Sequence, residues 1–332
     1  MSAAARVPGA RPAPTRSLAR PSDRIGDGVL RGLCVLAALL SALAFGAIAY
    51  QVIHRASPAI SRFGAGFLTH STWQPNFGIA GEGTFGAGAF LYGTAVTSFF
   101  ALLLAGPIGV SIGLYLSMLA PRRLRGVIGP LVEMLAAIPS VILGFWGIIV
   151  LGPFLRRHIE PFLHNALGFL PIFGAPGTTG TGLFIASLIL TIMVVPIVAS
   201  LSRDLFLTVP EELKDGATAL GATRWEVVRG VVIPSAASGV VAATFLGLGR
   251  ALGEAIAVTQ VIGAGSAIHA NLFGTADTLP SRIADQYAGA TTKMLIASLF
   301  YLGVILLAIE LVVNIAAQLI ARRFDAGGAL ST

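Results

Sequence analysis

The sequence predicts an all-α membrane protein of six transmembrane helices, with a polar loop at 209–234 between the fourth helix and the fifth. Three observations predict it. The 332 residues are 55% hydrophobic and only 11% charged, where ordinary globular chains carry roughly 25% charged residues, and the mean hydropathy is +0.84. Six apolar segments reach the roughly 20 residues needed to cross a hydrocarbon core of about 30 Å: Val29–Ile53, Leu91–Leu119, Val127–Leu151, Gly182–Leu201, Ala236–Gly263 and Met294–Ile320. Most of the arginines flank these segments, so the formal charge of +7 fits a membrane surface and argues against nucleic acid as a partner.

Residues 1–24 hold five Arg, four Pro and no Glu. Such a stretch cannot bury enough apolar surface to offset its ordering entropy, so it reads as a disordered basic tail. Its composition also fits an organellar transit peptide, but a tail on the positive side of a membrane is the simpler account. Residues 25–90 then supply the first helix and an outer loop, 91–320 a core of five helices, and 321–332 a second tail. The first apolar segment is too long for a signal peptide's hydrophobic region. With six crossings, the tail, the 121–126 loop, the 202–234 loop and the C-terminus share one side and hold fifteen basic residues against six on the other. The positive-inside rule puts that side, and both termini, in the cytoplasm.

The opposite loops, 54–90, 153–181 and 264–292, mix Gly, Pro and aromatics. Phe63, Phe67, Trp73, Phe77, Phe85 and Phe90 suit an interfacial segment lying along the headgroups. All five histidines fall in these loops without metal-ligand spacing. The one cysteine, Cys34, permits no disulfide within the chain. Pro139 and Pro196 lie inside apolar segments, where proline kinks a helix.

The polar loop carries seven of the 37 charged residues. Its two halves each open on a capping-box pattern, Thr208-x-x-Glu211 and Thr223-x-x-Glu226. Gly221 fits a C-terminal stop of the first half, and Pro234 an end to the second. Two short helices are expected, too short to span a bilayer, with Val209, Leu213, Ala217 and Leu220 on one face of the first.

Arg250 stands near the midpoint of the fifth apolar segment, where an arginine costs roughly 2.5–3.5 kcal/mol on insertion scales. Glu254 lies one turn on, so the two share a helix face and can pair. Such a pair could simply fix helix register. The functional alternative is an anion site, because a guanidinium offers a planar fork of donors for phosphate or carboxylate oxygens. Glu133 and Glu310 are the other acids at membrane depth. Glu133 is close enough to Arg122, Arg123 or Arg125 to pair with one of them, while Glu310 faces a neighbour that the sequence does not identify.

Two resemblances narrow the reading. Asp215-Gly216-Ala217, then Gly221 and Val231-x-Ile233-Pro234, resembles the E-A-A…G…I-x-L-P loop of importer-type ABC permeases, with Asp for Glu and Gly for the first Ala. GLGRALGEAIAV (247–258), FLYGTAVTS (90–98), GLYLSMLAP (113–121) and AAIPSVILGFWG (136–147) resemble phosphate importer permeases, and the long loop before FLYGT is more similar to the PstC-type subunit than to the PstA-type. The likeness covers roughly residues 63–320. It implies the type I ABC importer permease fold, and it carries the family's transmembrane arginine and glutamate onto Arg250 and Glu254 as residues of the substrate path. It makes the polar loop a cytoplasmic coupling helix that docks an ATPase through Glu211, Glu212, Leu213, Asp215, Gly216, Ala217, Leu220, Gly221, Ala222 and Thr223. The implied partners are a PstA-type permease, a PstB-type ATPase dimer holding ATP and Mg, and an extracytoplasmic PstS-type phosphate-binding protein.

No Walker A loop is encoded, since neither lysine, Lys214 or Lys293, follows a glycine. The chain therefore reads as a transport subunit with no catalytic residues, metal site or cofactor of its own. Two alternatives remain, a permease for another oxyanion and an ion-coupled secondary carrier. Carriers of the second kind usually show two related halves, and no convincing repeat is present. An intramembrane hydrolase lacks its His-Glu-x-x-His or paired aspartates.

Overall fold

The structure, a computed structural model, describes residues 21–75 and 83–329, with side chains described over 28–75 and 83–323. It is helical apart from one two-residue antiparallel pairing, Trp73–Gln74 with Thr84–Phe85. Six of the described helices are long and apolar enough to cross a membrane: Gly28–Phe63, Ser140–Leu167, Gly88–Leu119, Leu183–Thr208, Arg224–Gly253 and Lys293–Arg323. The chain is a multi-pass membrane protein.

The chain divides into two compact units, residues 1–51 and 52–332. In the first, the described part belongs to the helix Pro21–Phe63, with Leu33, Leu36, Leu40 and Leu43 all more than half exposed. A helix apolar all round requires lipid or protein around it. Residues 1–20 of the expected tail lie outside the described residues, and Pro21–Arg24 already belong to this helix. At the other terminus the last helix continues to Ala329, through most of the stretch read as a tail.

In the second unit the core is built on Leu183–Thr208, the most enclosed span. Ile185, Ile189, Val194 and Val198 pack with Ala101 and Ala105 of the second span and with Ala257 and Val261. Close approach of backbones drives such packing in lipid, because apolar side chains gain little by leaving lipid for protein. A Cβ on Gly113 would come within 2.8 Å of the Ala199 carbonyl oxygen, so this crossing needs glycine.

The third span departs from its expected limits. Residues Arg122–Ala136 form a separate helix that packs on Leu183–Thr208, and the membrane-length helix begins after Pro139 and continues to Leu167. Proline disfavours helical backbone at the residue before it and lacks the N–H a helix interior uses, so the apolar run breaks at Pro139 instead of kinking there. Glu133 accordingly pairs with Arg203 at 2.9 Å, while Arg125 donates to the Ser117 carbonyl. Arg156, Arg157, His158 and His164 belong to the far end of this span helix, not to a loop.

The aromatic segment expected along the headgroups is instead folded inward. Phe67, Trp73, Phe85 and Phe90 are buried with Leu279, Leu295, Leu299 and Leu302, and Trp73 Nε1 donates to Gln286 Oε1 at 2.8 Å. Phe77 lies outside the described residues. Beside this cluster Arg282 and Asp277 form a buried ion pair at 2.8 Å, with the guanidinium 4.8 Å from the Phe90 ring centre. Thr278 and Ser281 cap the helix Leu279–Tyr287, and the Leu279 N–H donates to Thr94 Oγ1 at 2.9 Å. Burial pushes the Asp277 carboxyl above its ordinary range, although Arg282, the Ser281 hydroxyl and the Thr278 N–H pull it back. These bonds tie the segment between the fifth and sixth spans to the second span.

Candidate functional site

Two groups of residues in the second unit lie at opposite ends of one helix, Arg224–Gly253. The first group belongs to the 209–234 connector. Thr208 Oγ1 donates to the Leu205 carbonyl at 2.7 Å, so the expected Thr208–Glu211 box does not form. Helix Glu211–Ala219 starts from Pro210 with no side-chain cap. The Thr223–Glu226 box does form, with Thr223 N–H donating to Glu226 Oε2 at 2.7 Å. Gly221 adopts φ +88°, the left-handed conformation that ends a helix and turns the chain.

Pro234 does not end the second half. A π turn over Val228–Val232 precedes it, and the helix continues to Gly253. The wider turn accommodates the bond that a proline cannot donate. The connector is therefore one free-standing short helix plus the first turns of the fifth span.

The four apolar residues assigned to one face separate into two pairs. Val209 is buried with Phe206, Val227 and Val232, and Ala217 packs against them. Leu213 is 51% exposed, Leu220 91% and Trp225 60%. Val209 precedes the helix and so does not share its stripe. The inward position goes to Lys214, buried with Nζ 3.1 Å from Glu211 Oε1. Glu212, Asp215, Gly216 and Thr223 are exposed, and Ala222 packs beside Ala217. The outer surface thus combines acids with uncovered apolar side chains.

The second group surrounds Arg250. The helix carrying it ends at Gly253, because Glu254 is extended at φ −71°, ψ 114°. Glu254 does not pair with Arg250: its Oε1 accepts the Ala257 N–H at 3.2 Å, in the first turn of the short helix Ile256–Ile262. The expected pair fails because the shared face required an unbroken helix. Glu310 and Asn314, one turn apart on the sixth span, line a cavity of about 390 Å³ with Arg250, Ile197, Leu246 and Gly249. Glu310 lies close to the helix end, since a Cβ on Gly253 would sit 3.2 Å from its Oε1.

Among the described residues, Arg250 and Glu310 have no hydrogen bond or ion pair, to each other or to any other group. Arg250 is exposed, and no charged group among the described residues neutralises it. The sequence pairs Arg250 with Glu254, whereas the structure sets Glu254 on the Ala257 N–H and Glu310 beside Arg250 in the cavity. The signal for Glu310 was the Glu310/Asn314 spacing, which places two polar side chains on one face of an apolar helix.

A family profile described as binding-protein-dependent transport system inner membrane component matches residues 107–326. The chain is 40% identical over 304 residues to the phosphate transport system permease protein PstC of Mesorhizobium japonicum, covering 90% of this chain and 91% of that one. It is 39% identical to the protein of the same description from Haemophilus influenzae, covering 90% and 94%. Against PstC 1 of Mycobacterium tuberculosis the figure is 36%, covering 92% and 96%. Among solved structures, a bacterial ABC transporter involved in the import of the acidic polysaccharide alginate aligns at TM-score 0.56 and 16% identity over 90% of this chain and 99% of that one. The fold is that of ABC importer permeases.

Proposed function

Since the chain belongs to the family of binding-protein-dependent transport system inner membrane components, we propose that it is the permease subunit of an ATP-driven phosphate importer. Both termini face the cytoplasm in this reading, and so does the connector. The second half of the path comes from a PstA-type permease. Phosphate arrives on an extracytoplasmic PstS-type binding protein, and energy comes from a PstB-type ATPase pair that holds ATP and Mg. The phosphate transport permeases among the relatives support the choice of cargo.

The observation that carries the proposal is the helix Arg224–Gly253. At about 1.5 Å per residue its 30 residues span roughly 45 Å. One end begins at the connector that exposes Leu213, Leu220 and Trp225. The other presents to a membrane cavity a guanidinium that has no partner among the described residues. A push at the first end moves the second with little loss, because the helix between them is continuous.

Transport then proceeds by alternating access. The loaded binding protein docks on the outer surface while the ATPase pair closes. Closure displaces the connector, tilts Arg224–Gly253 and opens the cavity to the outside. Phosphate passes Arg250, whose charge replaces lost hydration, and leaves inward as the ATPases reopen. Arg250→Gln is expected to abolish phosphate uptake in reconstituted vesicles while the complex still assembles. Normal uptake by that variant removes Arg250 from the mechanism. If the purified chain alone accumulates phosphate on an ion gradient, the secondary-carrier reading replaces this one.

A further inference from the structure

The cavity that holds Arg250 presents an asymmetric set of hydrogen-bonding groups. Arg250 can only donate, whereas the Asn314 amide both donates and accepts. The ionised carboxylate of Glu310 can only accept. All three line the same space of about 390 Å³, far above the ~30 Å³ share of one water molecule. Glu310 has no hydrogen-bond donor of its own among the described residues. The acids that could be confused with it are engaged elsewhere, Glu254 on the Ala257 N–H and Glu133 on Arg203.

A ligand that completes this cavity must therefore offer acceptors to the guanidinium and a donor to the carboxylate. Phosphate and arsenate retain an O–H near neutral pH and meet both conditions. Sulfate and molybdate are fully deprotonated there, so one of their oxygens would face Glu310 lone pair to lone pair. A site built to bond a ligand hydroxyl rejects an analogue that lacks it far more strongly than an apolar pocket rejects an isostere, because its own polar groups are left without a matching partner.

We propose that Glu310 is a specificity-determining residue of the path, its carboxylate accepting the hydroxyl hydrogen of a protonated tetrahedral oxyanion held by Arg250. This rests on the reading of the chain as a phosphate permease and places a selection by protonation state inside the membrane. Asn314, one turn from Glu310, supplies the amide that bonds a remaining oxygen. No protein bond forms or breaks. The ligand keeps its proton throughout and exchanges hydration for these contacts.

The test uses the purified complex of the full chain with its partner permease and ATPases, without the binding protein, so that only the membrane site selects. Equilibrium binding of radiolabelled phosphate is measured by scintillation proximity, with arsenate and sulfate as competitors. Arsenate is expected to displace phosphate at concentrations at least about 10-fold below those of sulfate. Glu310→Gln, whose amide offers a donor, should narrow that gap to less than about 3-fold, and Glu310→Asp should keep most of it. A wild-type complex that does not distinguish the two competitors overturns the proposal without any variant. If Glu310→Gln discriminates as wild type does, while Arg250→Gln abolishes phosphate binding, the proposal falls and the permease reading stands. Phosphate binding that is absent in wild type, or that survives Arg250→Gln, overturns the proposal and removes Arg250 from the path, while the permease reading is tested separately by uptake.

Discussion

Arg250 and Glu254 are four residues apart in the sequence and have different surroundings. Arg250 presents its guanidinium to the cavity shared with Glu310, while Glu254 accepts the Ala257 N–H. Glu254→Ala, which removes the acceptor of the Ala257 N–H, is thus expected to reduce uptake less than about tenfold and to cost on the order of 1 kcal/mol. Thermal unfolding of the purified complex and labelled-phosphate uptake check the two parts. Loss of uptake as complete as in Arg250→Gln would place Glu254 in the path after all. The arginine was legible in the sequence because a charge at membrane depth stands out against apolar neighbours. Its surroundings were not, because a face drawn at 3.6 residues per turn assumes a helix that here stops at Gly253. Asp277 and Arg282 make the same point about charge. In the sequence Arg282 is one more basic residue of a loop, yet it is 6% exposed and paired. Asp277→Asn leaves that guanidinium buried and uncompensated, a change worth roughly 3–5 kcal/mol. The measurement is thermal stability in detergent, and recovery is expected when Arg282→Met is added.

The connector and the third span show what short elements conceal. Gly221 and the Thr223–Glu226 box were legible because each rests on local chemistry, a left-handed turn and a reciprocal cap. The third span was misplaced because an apolar window sums across Pro139 and does not register the break. The exposed pattern on Glu211–Ala219 and Arg224–Val227 has a direct consequence. Leu220, 91% exposed, is an apolar side chain whose covering by a partner would remove apolar surface from water, worth about 1.5–3 kcal/mol for full burial. Leu220→Asp should lower co-purification of the ATPase subunit at least tenfold, the effect of about 1.4 kcal/mol, with the fold of the permease intact by circular dichroism. Unchanged co-purification would move the docking surface away from this helix. Charge reversal at Glu211 or Asp215 tests the acidic part of the same surface, with a smaller loss expected because rim charges chiefly alter association rate.

At the scale of the whole second unit, the question is how a push on the connector reaches Arg250, about 39 Å from Arg224 by helix length at ~1.5 Å per residue. The sequence suggested two surface helices ended by Pro234, which would leave a hinge between docking surface and span. The structure contains no such stop, because the π turn at Val228–Val232 absorbs the proline and the rod continues. Coupling therefore depends on the stiffness of the segment between Pro234 and Arg250. Ala242 lies in that segment, is exposed, and borders the fourth span beside Leu205 and Thr208. Proline there removes a backbone bond and costs roughly 3 kcal/mol in a helix interior, which bends the rod while leaving both of its ends in place. Ala242→Pro is expected to retain ATPase docking and ATP hydrolysis in proteoliposomes and to lose phosphate uptake by at least tenfold. Ala242→Leu, of similar helix propensity to alanine, should retain both activities. If Ala242→Pro imports phosphate at the normal ratio to ATP hydrolysed, movement is transmitted through the packing of the second and fourth spans, and the continuity of Arg224–Gly253 is incidental.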